Sequence, residues 1–171
     1  SDIVSFIPVR QHTDAGVDTN ERLIKETIST VREADYINDV YVATDADHVA
    51  ANAPQWGATN SIMRPPKLSA QDVEVIEVFN HALEQLETNN RYPDLLVTVD
   101  ITHPFRPAGF LDDIITYLVR NGHDTVVPVY PERRPSWIES AGKLQQLNEA
   151  TMRSERDPVH VGLFSLGTVM H

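Results

Sequence analysis

Short runs of consecutive apolar residues alternate along this chain with longer stretches whose apolar positions recur every three or four residues. D-I-V-S-F-I-P-V at 2–9 is β-branched and almost wholly apolar, which predicts a buried strand. Leu23, Ile24, Thr27, Ile28 and Val31 then recur at helical spacing through residues 21–33. V-Y-V-A-T at 40–44 predicts a second strand, and D-A-D-H-V-A-A-N-A-P a helix with an acidic start that Pro54 ends. Residues 56–69, W-G-A-T-N-S-I-M-R-P-P-K-L-S, have the Gly and Pro content of a loop. Val75, Ile76, Phe79, Ala82, Leu83 and Leu86 share one face of a helix over 72–87.

D-L-L-V-T-V-D at 94–100 predicts a third strand, residues 109–122 a helix closed by Gly122, and D-T-V-V-P-V-Y at 124–130 a fourth strand. V-H-V-G-L-F-S-L-G-T-V-M-H at 159–171 has strand composition with no helix after it to cover it, and so is expected to seek a partner surface. Alternating strands and helices imply an α/β domain with a mostly parallel sheet between helical layers. Ligands of such sheets bind beyond the carboxyl ends of the strands. Arg10, Thr44 with Asp45, Asp100 through Arg106 and Tyr130 through Arg134 all fall at expected strand ends.

Composition narrows the partners. At 171 residues and 41% apolar content the chain suits one domain with a real core. The absence of cysteine excludes disulfides, thiolate metal sites and a cysteine nucleophile, and suits a reducing compartment, so a cytoplasmic location is expected. No charged-then-apolar leader precedes the first strand, and no apolar run approaches the roughly 20 residues of a membrane helix. A formal charge of -11 opposes attraction to nucleic acid or anionic lipid. A small anion remains compatible, because a few arginines in a cleft outweigh the global field.

The strand ends carry the candidate chemistry. Asp100 follows an apolar strand directly, where a carboxylate can hold a divalent cation over a phosphate; a loop or capping role stands level with that reading. Arg10 and Arg106 offer forks that match phosphate or carboxylate, and Arg64 precedes two prolines that stiffen its backbone. Taken alone, each arginine reads first as a surface residue; two at one end of a sheet favour an anion site. Asp45 and Asp47 form a D-x-D, of which Asp47 reads as a helix-start residue and Asp45 stays open. His81, beside an apolar helix face, reads as structural, and His103 as a neighbour of the cluster. No zinc spacing, G-x-S-x-G, P-loop or G-x-G-x-x-G is present, which withdraws the usual support for hydrolase, P-loop and dinucleotide readings.

In chain order, F-I-P-V-R (6–10), V-Y-V-A-T-D (40–45), W-G-A (56–58), R-P-P-K-L-S (64–69), V-F-N-H-A-L (78–83) and D-I-T-H-P-F-R (100–106) resemble the acylneuraminate cytidylyltransferases, enzymes that make CMP-activated sialic-type acids for cell-surface polysaccharides. The resemblance implies a single three-layer domain over 1–171, Rossmann-like and of the nucleotide-diphospho-sugar transferase kind. It implies CTP and a nonulosonic acid as substrates, Mg2+ as cofactor, and a homodimer contact within 131–171. By motif position, Arg10 is implied as catalytic and, with Gln11, Asn20 and Arg64, as nucleotide-binding. Asp100, Thr102 and Arg106 are implied to face the sugar, with Asp100 also a candidate metal ligand.

Three departures from the family pattern shape the expectations. The loop Q-H-T-D-A-G-V-D-T-N at 11–20 has no lysine, and Asn20 alone stands for a family Asn. The family Gln is Asp100 here, as in the branch related to legionaminic acid. The family continues beyond this chain into a segment with magnesium-binding aspartates, so parts of the natural protein are expected to be missing from the sequence. A non-catalytic nucleotide or sugar-acid binder, and a nucleotidyltransferase of other specificity, are the alternatives.

Overall fold

The computed structural model describes residues 1–11, 17–70, 72–149 and 152–171, with side chains for all of these but 17–19. The elements run β1 (Ile3–Val9), α1 (Val17–Arg32), β2 (Asp39–Thr44), α2 (Asp47–Asn52), β3 (Asn60–Met63), α3 (Val75–Thr88), β4 (Leu95–Thr98) and α4 (Phe110–Asn121). After α4 come β5 (Thr125–Val126), β6 (Val129–Glu132), β7 (Trp137–Ser140), β8 (Lys143–Gln146), β9 (Val159–Gly162) and β10 (Thr168–Met170).

The central sheet has the order β3-β2-β1-β4-β10-β5. β1 pairs in parallel with both β2 and β4, and β2 with β3. β10 runs antiparallel to β4 and β5. The mostly parallel α/β sheet expected from the alternating pattern is therefore present.

Alternation along β1 separates two cores. Ile3, Ile7 and Val9 face one side, where Ile24, Ile28 and Val31 of α1 and Leu111, Ile114, Ile115 and Leu118 of α4 meet them. Val4 and Phe6 face the other, against Phe79, Ala82 and Leu86 of α3. Ile28 is completely buried, and truncating it to Ala would cost about 2–5 kcal/mol. α4 ends where Gly122 adopts φ 65°, the left-handed cap that glycine takes without strain.

Three expectations are corrected. Residues 60–63 lie within the stretch read as a loop but form edge strand β3; only Ile62 of the four is buried, too little to raise a strand pattern. The expected strand 124–130 divides at Pro128: β5 stays in the central sheet, while β6 leaves it to pair with β9. Proline cannot donate to a ladder, and Pro128 instead accepts a hydrogen bond from the Leu163 N–H. Because β5 and β4 both run antiparallel to β10, β5 is parallel to β4, and Tyr130 through Arg134 still follows a carboxyl end of the central sheet, on a ribbon that leaves it. The tail is not left bare either, because β10 is inserted between β4 and β5, with Val169 fully buried.

At the amino end of the sheet, Arg91 grips Asp2 at 2.8 Å and Asp39 at 2.6 Å and donates to the Tyr41 hydroxyl. These carboxylates hold its pKa further above the usual arginine value. That end is closed by its own ion pairs. No helix among the described residues is long and apolar enough to cross a membrane.

Candidate functional site

β1 sends the chain toward β2 on one side, and β4 lies on the other, so the loops after β1 and β4 diverge at a switch point of strand order. Phe6 lies opposite Thr98, which brings Arg10 and Asp100 out at the same end of the sheet. Pro8, Thr98 and Asp100 line one cleft of ≈ 290 Å³ with Val75 and Phe79 from the α3 side and Phe164 from the turn before β10. That volume is at the lower edge of the roughly 300–1,000 Å³ typical of small-molecule sites.

Arg64 is the most informative member of the site. Its N–H donates to Thr44 O at 2.8 Å and its Nη2 to Ala43 O at 3.2 Å, which pins it across the carboxyl end of β2. The residue is only 5% exposed, yet Nε and Nη1 have no hydrogen-bond partner. Burial pushes its pKa down; Asp45 opposes that, Arg10 adds to it, and Asp100 opposes it more weakly. Four charged groups, Arg10, Arg64, Asp45 and Asp100, thus share one electrostatic neighbourhood. Buried donors without partners cost about 1–3 kcal/mol each, so they call for a water, an ion or a ligand to meet them.

Arg10 donates to Val73 O at 3.3 Å, tying the end of β1 to the approach of α3. Arg10, Gln11 and Asn20, three of the four residues implied to hold nucleotide, converge on one small hollow with His48 and Trp56, while Arg64 does not line it. Residues 12–16, in the middle of the lysine-free loop, lie outside the described residues. The Gln11 N–H donates to Asp45 Oδ1 at 2.8 Å, which ties the exit of β1 to the exit of β2. Asp47, at the first turn of α2, has the helix-start place expected of it.

The loop after β4 is braced from within. Asp100 Oδ1 accepts the Thr102 N–H at 3.0 Å, and the Asp100 N–H donates to Ser165 O at 3.1 Å. Arg106 donates to three carbonyls, Leu166 O at 2.5 Å, Asp100 O at 2.6 Å and Ser165 O at 3.0 Å, leaving Nη1 without a partner. Burial lowers its pKa, against the pull of Asp100. Most of its hydrogen-bonding capacity therefore clamps the loop to the turn before β10, a task the sequence pattern did not announce. Thr102 is exposed beside it, and His103 Nδ1 lies 2.7 Å from Ser165 Oγ. His81, read as structural, places its Nε2 3.2 Å from Met63 O, next to Arg64.

Sequence reasoning missed Val73, Phe164 and Ser165, which reach the site from distant segments and bear no local motif. Trp56 and His48 stood within quoted motifs without being singled out as lining residues. Among the described residues, no three His, Asp or Glu side chains gather closely enough to hold a metal by themselves.

Comparison with known proteins follows the same lines. The chain is similar to the CTP complex of CMP:2-keto-3-deoxy-manno-octonic acid synthetase, with TM-score 0.60 and 14% identity over 100% of this chain and 74% of that one. It is also similar to 4-diphosphocytidyl-2C-methyl-D-erythritol synthase from Anaerococcus prevotii DSM 20548, with TM-score 0.64 and 13% identity over 99% of this chain and 69% of that one. A second 4-diphosphocytidyl-2C-methyl-D-erythritol synthase structure gives TM-score 0.62 and 13% identity over 99% of this chain and 75% of that one. At such identities these likenesses establish the nucleotidyltransferase-like fold. No curated protein sequence matches the chain. The cytidylyltransferase family profile matches residues 19–157, a span from α1 to the approach of β9 that includes Arg64, Asp100 and Arg106, and the chain accordingly belongs to the cytidylyltransferase family.

Proposed function

We propose that this protein transfers a cytidylyl group from CTP to a hydroxyl of a sialic-type sugar acid and releases pyrophosphate. The observation that carries the reading is Arg64: a buried guanidinium with two unpartnered nitrogens, sharing the carboxyl end of the sheet with Arg10, in a chain of the cytidylyltransferase family. The sugar hydroxyl oxygen forms a bond to the α-phosphorus, the bond from that phosphorus to the oxygen bridging it to the β-phosphorus breaks, the hydroxyl proton passes to solvent, and the β- and γ-phosphates leave together with that oxygen as pyrophosphate. This chemistry needs charge neutralisation and in-line placement more than a protein nucleophile. Arg10 and Arg64 supply fixed positive charge, and the Asp100 loop, braced by Arg106, presents Thr102 and Asp100 to the acceptor.

A carboxylate-bearing acceptor is favoured because D-I-T-H-P-F-R matches the sugar-facing motif of the acylneuraminate enzymes, and the first structural neighbour is named for another sugar acid. Mg2+ bound with CTP would neutralise the triphosphate. It characteristically takes one or two carboxylates together with phosphate oxygens and water, and Asp100 at the cleft fits that donor set. For assembly, exposed Trp137, Ile138 and Leu144 on the β7–β8 hairpin make residues 131–171 the region we propose for a homodimer contact.

The test is pyrophosphate release with CTP, Mg2+ and a panel of nonulosonic acids, with 3-deoxy-manno-octulosonate and methylerythritol phosphate as competitors. Turnover with a nonulosonic acid is expected, and turnover with methylerythritol phosphate alone would overturn the sugar-acid reading. The lysine-free loop 11–20 favours a second reading, a binding protein without turnover. CTP binding with no pyrophosphate from any acceptor would establish it.

A further inference from the structure

The D-x-D after β2 leaves Asp45 without a task in the reaction above. Its surroundings supply one. Asp45 Oδ1 accepts the Gln11 N–H at 2.8 Å, so the first peptide beyond Arg10 is held to the end of the neighbouring strand. Its own backbone is fixed on either side: Thr44 is fully buried, its hydroxyl accepts the Ala46 N–H at 3.1 Å, and its carbonyl accepts the Arg64 N–H at 2.8 Å. Asp45 is also the leading carboxylate offsetting the burial of the Arg64 guanidinium. One side chain therefore bears on both arginines implied to hold the nucleotide, tying down the peptide beyond Arg10 and balancing the charge of Arg64.

We infer that Asp45 is a positioning residue: through the Gln11 N–H it sets where Arg10 stands relative to Arg64, and so sets affinity for the triphosphate without contacting the sugar acid. The inference rests on the proposed use of CTP. The geometry gives the two D-x-D aspartates separate tasks: Asp45 accepts the Gln11 N–H, and Asp47 lies in the first turn of α2.

Two substitutions separate the hydrogen bond from the charge. Asp45→Asn keeps an oxygen acceptor for Gln11 but removes the charge, whereas Asp45→Ala removes both. CTP affinity is measured by calorimetry on the full chain, protection of the Gln11 amide by hydrogen exchange, and KM for CTP and for sugar acid separately. In Asp45→Ala we expect the CTP dissociation constant to rise about tenfold, the loss of one charge-assisted hydrogen bond. The KM for sugar acid should stay within about twofold, as binding terms remote from the acceptor predict. Asp45→Asn should recover CTP affinity to within about threefold of the parent and restore Gln11 protection, since a neutral acceptor keeps most of the bond. CTP affinity unchanged in Asp45→Ala, or equal losses in Asp45→Asn and Asp45→Ala, overturns the inference. A parent chain that binds no CTP, with Gln11 protection still dependent on Asp45, would sink the proposed function and the nucleotide half of the inference while leaving the strand-end tie standing.

Discussion

Arg64→Met is expected to make the ligand-free protein more stable and a poorer binder of CTP. The substitution removes a guanidinium that is 5% exposed and whose Nε and Nη1 have no partner. Two buried unpartnered donors cost about 2–4 kcal/mol together at the lower end of the usual range. The attraction of Asp45 and Asp100 offsets part of that cost, and the lost Nη2 bond to Ala43 O subtracts about 1 kcal/mol. Met retains a similar apolar stem, so the net expectation is a gain of about 1–2 kcal/mol, or a melting temperature ~2–8 °C higher for a domain of this size. The CTP dissociation constant should rise about 30-fold or more, the equivalent of about 2 kcal/mol lost from a desolvated charged contact. Thermal unfolding followed by circular dichroism, with calorimetric titration of CTP on the same samples, reads both quantities. A melting temperature that falls while CTP affinity stays within twofold would show that the buried guanidinium serves the fold and not a ligand.

Arg106→Met should destabilise the protein by about 2–4 kcal/mol in urea unfolding, because it strips a charged donor from three carbonyls that join two loops 59–60 residues apart in sequence; a loss under about 0.5 kcal/mol would refute the clamp. Asp100→Asn keeps an acceptor for the Thr102 N–H but removes the charge. As a sugar contact it should mainly raise KM for the sugar acid, and as a metal ligand it should lower kcat steeply and raise the Mg2+ requirement; no parameter moving beyond about twofold would make Asp100 a loop residue only. Glu132 is held down to about 2 by hydrogen bonds from Arg134, chiefly from its side chain. A carboxyl depressed in the folded state contributes stability that is present above its unfolded pKa and is lost as pH falls through the folded value. Between about pH 4.5 and 2 the urea midpoint of the parent should therefore fall more steeply than that of Glu132→Gln, and superimposable pH profiles would refute the contribution.

How much of this was legible beforehand depended on how local each signal is. β1 and β4 are apolar on both faces because helices cover both, and such runs stand out in any chain. Arg10 and Asp100 could be placed from strand ends alone, since a parallel sheet sends all such ends to one edge. β3 was hidden because an edge strand buries so little, and the strand composition of 159–171 did not disclose that β10 inserts between β4 and β5. Pro128 marked the break between β5 and β6, yet it does not announce that β6 pairs with β9 some 30 residues later. The same distance effect concealed the inward turn of Arg106, whose partners Ser165 and Leu166 belong to a turn with no motif of its own. Arg64 was visible as an Arg-Pro-Pro stretch, but its burial depends on β2, whose carbonyls it meets.

Attack on the α-phosphorus of CTP can be followed by phosphorus-31 NMR of the full chain with CTP, Mg2+ and a nonulosonic acid. A new phosphodiester resonance and free pyrophosphate should grow in equal amounts as CTP disappears. Conversion of CTP to CDP and inorganic phosphate, or a CTP spectrum unchanged with every sugar acid supplied, would contradict it.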